Sequence, residues 1–516
     1  MTGIDVNKTF LSDPDKFNPH GITDSRQNRF RRLILGFWLS ILVASFIAHI
    51  YTIRSFPIIR NVDEPGLLAM ADAFPRTHRF ESPIFGGLLP THAREPRFYL
   101  VMIAWLQIFG TNWISGRVFF FCVGMILLAT IFLVGRRLNG YAAGLYAAAF
   151  TSCTLIFFMT SHEIRLDIVF AVAVIVTLMA HLEADRRDNW WFHFLTGALL
   201  ILTYEAHGNA IALVLAFGIY YLIRYLPSTL KRRRLAPWGI LIGGIAGSCV
   251  LALIHVVPSI QDLQKSFAFS LAERRMPILG WLSPGEMINN FFRDGLLNYW
   301  SDAPTEVLIC LALLIWGIIN KQTRRFALLY LLFQIMSILL IPIYRPVYFV
   351  NGMPFLSLIA AALVAKGKNY QFRLILSSVL LVMICFSTLD QLIPTATENW
   401  NTRFIEQAKQ LRKEIPSGAT VISSPILLLG LGLDRQVIDI GMRKGFLRSW
   451  PEKEIINKIN PGYIVFFPKE GPRWHSAQYG AIDHVAEGSF LKAFYGKRFL
   501  YPGVNGKIVG YHLERP

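Results

Sequence analysis

Apolar runs close to membrane-crossing length recur along the chain at about 33–53, 114–135, 141–160, 167–183, 190–205, 209–226, 237–257, 304–320, 325–343, 347–365 and 372–393. A hydrocarbon core of roughly 30 Å needs roughly twenty residues of helix, so this pattern predicts about eleven transmembrane helices. A further apolar stretch, "FYLVMIAWLQIFG" over 98–110, is too short to cross and reads as an interfacial or re-entrant helix. From 394 onward the pattern changes. "RFIEQAKQLRKEI" has helical periodicity, "ATVISS" and "GYIVFF" read as buried strands, and "EKEIINKI" reads as another helix, with Pro and Gly punctuation between them.

The polar segments between the runs predict an orientation. If "RQNRFRR" before the first run is cytoplasmic, alternation places "GRRLNG", "EADRRDN", "LPSTLKRRRLAP", "NKQTRR" and "KGKNYQFR" on the same side, and all five carry Lys or Arg. That agrees with the positive-inside bias. The expectation is therefore a polytopic α-helical membrane protein. Residues 1–32 form a cytoplasmic tail, 33–393 a transmembrane domain, and 394–516 a small soluble α/β domain on the outer face. The loops 54–113 and 258–303 fall on that outer face too. The first run is too long for a signal-peptide core and no small-residue cleavage pattern follows it, so it is expected to be retained.

Composition supports the membrane class. Of 516 residues, 53% are hydrophobic and only 16% charged, with a mean hydropathy of +0.43. The net charge of +18 fits cytoplasmic loops and anionic headgroups rather than nucleic acid. The five cysteines all lie in apolar runs, which argues for small buried hydrophobes and against a disulfide frame or a metal site. No internal repeat of fixed period stands out.

Ionisable residues crowd the predicted outer ends. The stretch "NVDEPGLLAM" places Asp63 and Glu64 just past the first span, and the same loop holds His92, Arg94 and Arg97. The turn "SHEIRLD" packs His162, Glu163, Arg165 and Asp167 into seven positions; "YEAHGN" adds Glu205 and His207, and "YRPVYFVNG" adds Tyr344, Arg345 and Tyr348. Charged groups at a membrane boundary are costly to desolvate, so their gathering on one side suggests a shared site. Several cations with a few carboxylates at headgroup depth suit a lipid phosphate held by the cations, while a carboxylate handles an acceptor hydroxyl. The bland alternatives are a wet polar loop, a helix-start acid for Glu64 and a helix N-cap for Asp167. No metal motif matches the spacing of His78, His92, His162 and His207, so a divalent ion is not favoured.

Several segments, in order, resemble the membrane glycosyltransferases of the GT-C fold, in the bacterial branch related to protein O-mannosyltransferases and lipid A aminoarabinose transferases. They are the "DE" pair after the first span, "PTHAREPRFYLVMIAWLQIFGTNWISGRV", "GRRLNGYAAGLYAAAFTSCTLIFFMTSHEIRLD", "TYEAHGNAIALVLAFGIYYLI" and "YRPVYFVNGMPFLSLIAA", together spanning roughly residues 30–365. The resemblance implies transfer of a sugar from a polyprenyl-phosphate carrier to a lipid, glycan or protein acceptor, with inversion at the anomeric carbon. It assigns Asp63 to the family's acidic residue that acts as general base or positions the acceptor, with Glu64 beside it, and Asp167 to a second acidic position. It implies phosphate or substrate contacts from His92, Arg94, Arg97, His162, Arg165, His207, Tyr344, Arg345 and Tyr348. One departure stands out: where many relatives place Lys before Gly, this chain has His207 in "AHG", so either His207 serves the phosphate as a hydrogen-bond donor or an arginine carries the charge. A transporter or flippase of the lipid carrier is the rival from another class. It would place charged or broken segments near the midplane, often in duplicated halves, whereas here the charges collect at one face.

Overall fold

The computed structural model describes residues 25–55, 63–78, 80, 97–232, 235–257, 264, 284–341, 345–365, 369–397, 400–423, 427–438, 462–466, 498–502 and 509–513. Helix α1 (Ser25–Thr52) leads to α2 (Asp63–Thr77), the short apolar α3 (Phe98–Phe109), α4 (Trp113–Asn139), α5 (Tyr141–Cys153), α6 (Leu155–His162), α7 (Asp167–Arg187), α8 (Trp190–Leu202), α9 (Ala210–Arg232) and α10 (Gly239–Leu251). Further helices follow over Pro304–Ile319, Arg324–Leu340, Met353–Leu363 and Tyr370–Thr397.

Among the described residues, seven helices are long and apolar enough to cross a membrane, or nine if two bent pairs each count as one span. The expected eleven is not confirmed among the described residues, and the shortfall has a physical cause. All eleven apolar runs are helical, but α8 has 13 residues and Arg324–Leu340 has 17, which at 1.5 Å per residue reach only about 20 and 25 Å. The runs at 141–160 and 304–320 belong to helix pairs bent by 68° and 112°. Hydropathy counts apolar residues and is blind to a break in the helix axis. Helix α3, with 12 residues, is also too short to cross, as its length suggested.

The first bend shows how such a break is held. Thr154 leaves helical geometry at φ −73°, ψ 139°, and its hydroxyl accepts the Phe157 N–H at 3.4 Å. The newly freed Leu155 N–H donates to the Glu306 carboxylate at 2.6 Å, from a fully buried side chain that also takes the Tyr299 hydroxyl. A buried backbone donor without a partner is costly in a membrane, so this arriving acid is what makes the break tolerable.

Close helix crossings depend on small residues. On α10, Gly239, Gly243 and Gly247 recur every fourth position against α8, and a Cβ at Gly243 would lie 1.8 Å from the Phe194 carbonyl oxygen. Without a water-driven force between helices in lipid, such backbone approach supplies the packing energy.

At the C-terminal end, strands β1 (Thr420–Ile422), β2 (Gln436–Ile438), β3 (Tyr463–Phe466), β4 (Arg498–Pro502) and β5 (Val509–Leu513) form a sheet in the order β2-β1-β3-β5-β4. β1 runs parallel to β2 and β3, while β5 is antiparallel to β3 and β4. The segment expected as the helix "EKEIINKI" lies outside the described residues. Ala69 of α2 joins the small core formed by Ala408, Leu411, Leu428 and Val437, so the helix that follows the acid pair packs on this layer.

Candidate active site

The turn between α6 and α7 is the anchor of the site. Glu163 is extended, at φ −100° and ψ 140°, which ends α6 at His162. The next residue, Ile164, donates its N–H to the Glu64 carboxylate at 2.9 Å. Glu64 also accepts two bonds from Arg117 of α4, at 3.2 and 3.0 Å, and Arg117 donates a third to the Ile53 carbonyl at 3.2 Å. Both side chains are fully buried, with the guanidinium 5.1 Å over the Trp113 ring. Burial pushes the Glu64 carboxyl above the usual carboxylate range, and the charge and hydrogen bonds of Arg117 pull against it. Glu64 therefore ties α1, α2 and α4 to the turn that carries the second acidic cluster.

That cluster assembles at the start of α7. Arg165 Nε donates to Asp167 Oδ2 at 2.8 Å, and both side chains are buried. Asp167 sits in the first turn of its helix, where the dipole favours a negative charge. His207, from the turn before α9, places Nε2 at 3.7 Å from Asp167 Oδ1, with its ring stacked on Phe170 at 5.9 Å. Tyr348 closes another side, its ring 5.9 Å from His207 edge-on and 6.0 Å beneath the Arg165 guanidinium. The charge of Arg345 also acts on Asp167. Three segments far apart in sequence thus converge on one buried carboxylate.

The other sequence-predicted residues divide into three groups. Arg97 lies beside a separate acid: its backbone N–H donates to Glu205 at 2.7 Å, its guanidinium to the Ile254 carbonyl at 3.2 Å, and Glu205 also pairs with His255. His162 is fully buried between the rings of His49 and Phe158, with Nδ1 at 2.7 Å from the Phe158 carbonyl and Nε2 at 2.9 Å from that of His49. Asp63 opens α2, but its side chain lies outside the described residues, as do His92, Arg94 and Tyr344. Among the described residues, no three of His, Cys, Asp and Glu come together in a way that could hold a metal ion.

Reading of the sequence missed Arg117, Glu306 and the Glu205–His255 pair as parts of this end of the molecule. Arg117 had a signal, an arginine one turn into an otherwise apolar span, which is costly unless paired. Its partner is 53 positions away and no local pattern reveals it.

Comparison with known proteins bears on the fold. Residues 93–257 match the family model described as dolichyl-phosphate-mannose-protein mannosyltransferase. Among solved structures, ArnT from Cupriavidus metallidurans in the apo state is similar at a TM-score of 0.55 and 14% identity, over 92% of this chain and 97% of that one. ArnT from the same organism bound to undecaprenyl phosphate is similar at 0.54 and 13%, over 92% and 98%. The Archaeoglobus fulgidus oligosaccharyltransferase tethered to an acceptor peptide follows at 0.52 and 12%, over 93% and 74%. No curated protein matches the sequence. The chain is a multi-span membrane protein with the GT-C glycosyltransferase fold. The mannosyltransferase pattern lies in residues 93–257, and the likeness to ArnT and to the oligosaccharyltransferase is one of fold.

Proposed function

We propose that this protein transfers a sugar from a polyprenyl-phosphate carrier to a lipid, glycan or protein acceptor at the periplasmic face of the bacterial inner membrane, inverting the anomeric carbon. The observation that carries this reading is the convergence of Arg165, Asp167, His207, Arg345 and Tyr348 at one end of the bundle. It is supported by the names of similar structures, one of which holds undecaprenyl phosphate and another an acceptor peptide.

The chemistry follows from charge. Asp63 takes the proton of the acceptor hydroxyl as its oxygen attacks C1 from the face opposite the phosphate. The bond between C1 and the phosphate oxygen breaks, and the electron pair leaves with the polyprenyl phosphate. Arg165 and Arg345 receive that growing charge, an interaction stronger in the transition state than in the ground state. Glu64, held by Arg117 and Ile164, fixes where α2 begins and so where Asp63 stands. His162 has both ring nitrogens directed at backbone carbonyls, which favours a supporting role for it in the turn. The shared core of the C-terminal layer and Ala69 of α2 supports an acceptor-facing role for that layer.

The test is reconstitution in vesicles with a polyprenyl-phosphate sugar and an envelope extract as acceptor source. Wild type should form a new glycosidic product, and Asp63→Asn should abolish it while carrier binding remains. Full turnover by Asp63→Asn would sink the assignment, and movement of the carrier between leaflets without any product would favour a flippase.

A further inference from the structure

Helix α7 ends in charge as well as beginning in it. Arg186 and Arg187 close its last turn, and Arg136 and Arg137 close the last turn of α4, which packs beside it. Three of these four guanidiniums share one carboxylate. Glu183 takes Arg137 on Oε1 at 2.6 Å, and it takes Arg187 and Arg186 on Oε2 at 3.1 and 3.6 Å. The acid is covered, at 10% side-chain exposure, while the three cations stand open at 47%, 50% and 36%.

One carboxylate does not satisfy so many donors. It offers about four lone-pair sites, and each guanidinium is a planar fork of N–H groups. Arg187 donates through Nε, its inner nitrogen, which leaves the outer pair for a second anion. Asp185, on the same turn, is taken by Arg224 and Arg325, and Asp188 caps the helix. Against Glu183 and Asp188, the four arginines leave a surplus of two positive charges. Helix C-termini favour cations, which accounts for arginines at each end but not for gathering those of two helices on one acid.

The depth of the cluster selects the kind of anion. Arg187 closes the 21-residue helix that Asp167 opens, so the two lie about 30 Å apart, one hydrocarbon thickness. The arginines therefore stand at the headgroup level of the leaflet opposite the candidate active site. Aromatic rings mark the same depth: Trp191 is 67% exposed at the start of α8, and the Arg187 guanidinium lies 4.9 Å from the Phe192 ring. An exposed tryptophan beside open arginines suits the boundary between acyl chains and headgroups, whereas an acidic protein arriving from water has no need of it.

We propose that Arg137, Arg186 and Arg187, arranged by Glu183, form a docking site for an anionic phospholipid whose headgroup carries two phosphates. The two surplus charges match the two phosphates, and guanidinium forks grip phosphate oxygens in pairs. Glu183 is a positioning group that collects the three side chains without cancelling their charge. The distance from the candidate active site separates this lipid from the sugar carrier.

The test uses full-length protein in detergent, with native mass spectrometry reading the binding of cardiolipin, phosphatidylglycerol and phosphatidylcholine. Wild type should bind cardiolipin about tenfold more tightly than phosphatidylcholine, and more tightly than phosphatidylglycerol at equal phosphate. Each of Arg137→Gln, Arg186→Gln and Arg187→Gln should weaken cardiolipin about fivefold and flatten its dependence on salt. Arg76→Gln, which removes an exposed charge from α2, should change neither. The proposal is overturned if wild type does not prefer cardiolipin to both other lipids, or if that preference survives all three substitutions. Displacement of cardiolipin by undecaprenyl phosphate would place it in the carrier's site and overturn the proposal too. Tighter binding of polyglutamate than of cardiolipin would identify an acidic polypeptide as the partner, with the same consequence.

Discussion

Helix α7 carries an aspartate near each end whose side chain is almost wholly covered, and the two are treated differently. Asp185 is saturated: Oδ2 accepts from Arg224 at 3.0 Å and from Arg325 at 3.4 Å, and Oδ1 accepts the Tyr225 hydroxyl. Asp167, about 27 Å away along the same helix, has Arg165 on one oxygen and leaves the other to His207 at 3.7 Å. Both acids are surrounded by cations, so charge alone does not tell them apart. The difference lies in hydrogen-bond completion. A network whose members are all satisfied rigidifies a fold, whereas one left short by a single partner calls for a water, an ion or a substrate group to complete it.

The backbone beneath the two ends differs as well. The Asp185 end finishes on Asp188, a left-handed residue at φ 46°, after an unbroken helix with Arg186 and Arg187 in its last turn. The Asp167 end hangs from a chain of contingent parts: the break at Thr154, the Glu306 carboxylate on Leu155, and the Glu64 carboxylate on Ile164. Regular structure supports the saturated end, and long-range polar contacts support the end proposed to react.

Substitutions can break this contrast. The largest expected effect is on folding at the saturated end: Asp185→Ala leaves Arg224 and Arg325 without their acid and should cost about 3–5 kcal/mol, read as a fall in thermal midpoint in detergent, while the surviving folded fraction keeps its turnover. Asp167→Asn should show the reverse, a loss of about a hundredfold in turnover, or about 2.7 kcal/mol, with the midpoint little changed. Equal effects of the two substitutions on stability would erase the distinction. Next in size, Arg345→Gln should weaken carrier binding about tenfold, measured by titration with undecaprenyl phosphate at fixed salt. Thr154→Val, which removes only the cap of α6, should cost about 1 kcal/mol and lower turnover modestly through the turn it supports.

The Glu64–Arg117 pair offers a sharper probe of the same idea. Arg117→Met alone strands a buried carboxylate and should destabilise by about 3 kcal/mol or more. Replacing both members with Met and Leu should restore most of the stability without restoring turnover, because packing would return while the bond to Ile164 would not. Recovery of turnover in the double variant would show that Glu64 does not position the turn.

Much of the membrane architecture was legible in the pattern of apolar residues, because burial in lipid imposes length and composition on each span. All the expected runs are helical, and α3 has the shortness that its sequence suggested. The number of spans was not legible. Whether α8 or Arg324–Leu340 crosses depends on a few residues of length, and the breaks at Thr154 and Ala303 are made by acids and prolines that a hydropathy window averages away. At the site, "SHEIRLD" and "YEAHGN" marked themselves by crowding costly charges into short turns. They did not reveal that Asp167 would meet His207, or that His162 would turn inward to His49.

By itself the sequence determined that this chain lives in a membrane, that its charges gather in a few turns, and which residue types are there to act, because solvation energy is a sum over residues that any arrangement must satisfy. Only the tertiary structure decided which charges cancel one another. Glu64 and Asp185 are consumed by partners 53 and 140 positions away, and Asp167 keeps one oxygen open. That outcome depends on distances of a few tenths of an ångström between segments, and hydrogen bonding is steep enough in distance to turn them into the difference between a strut and a site.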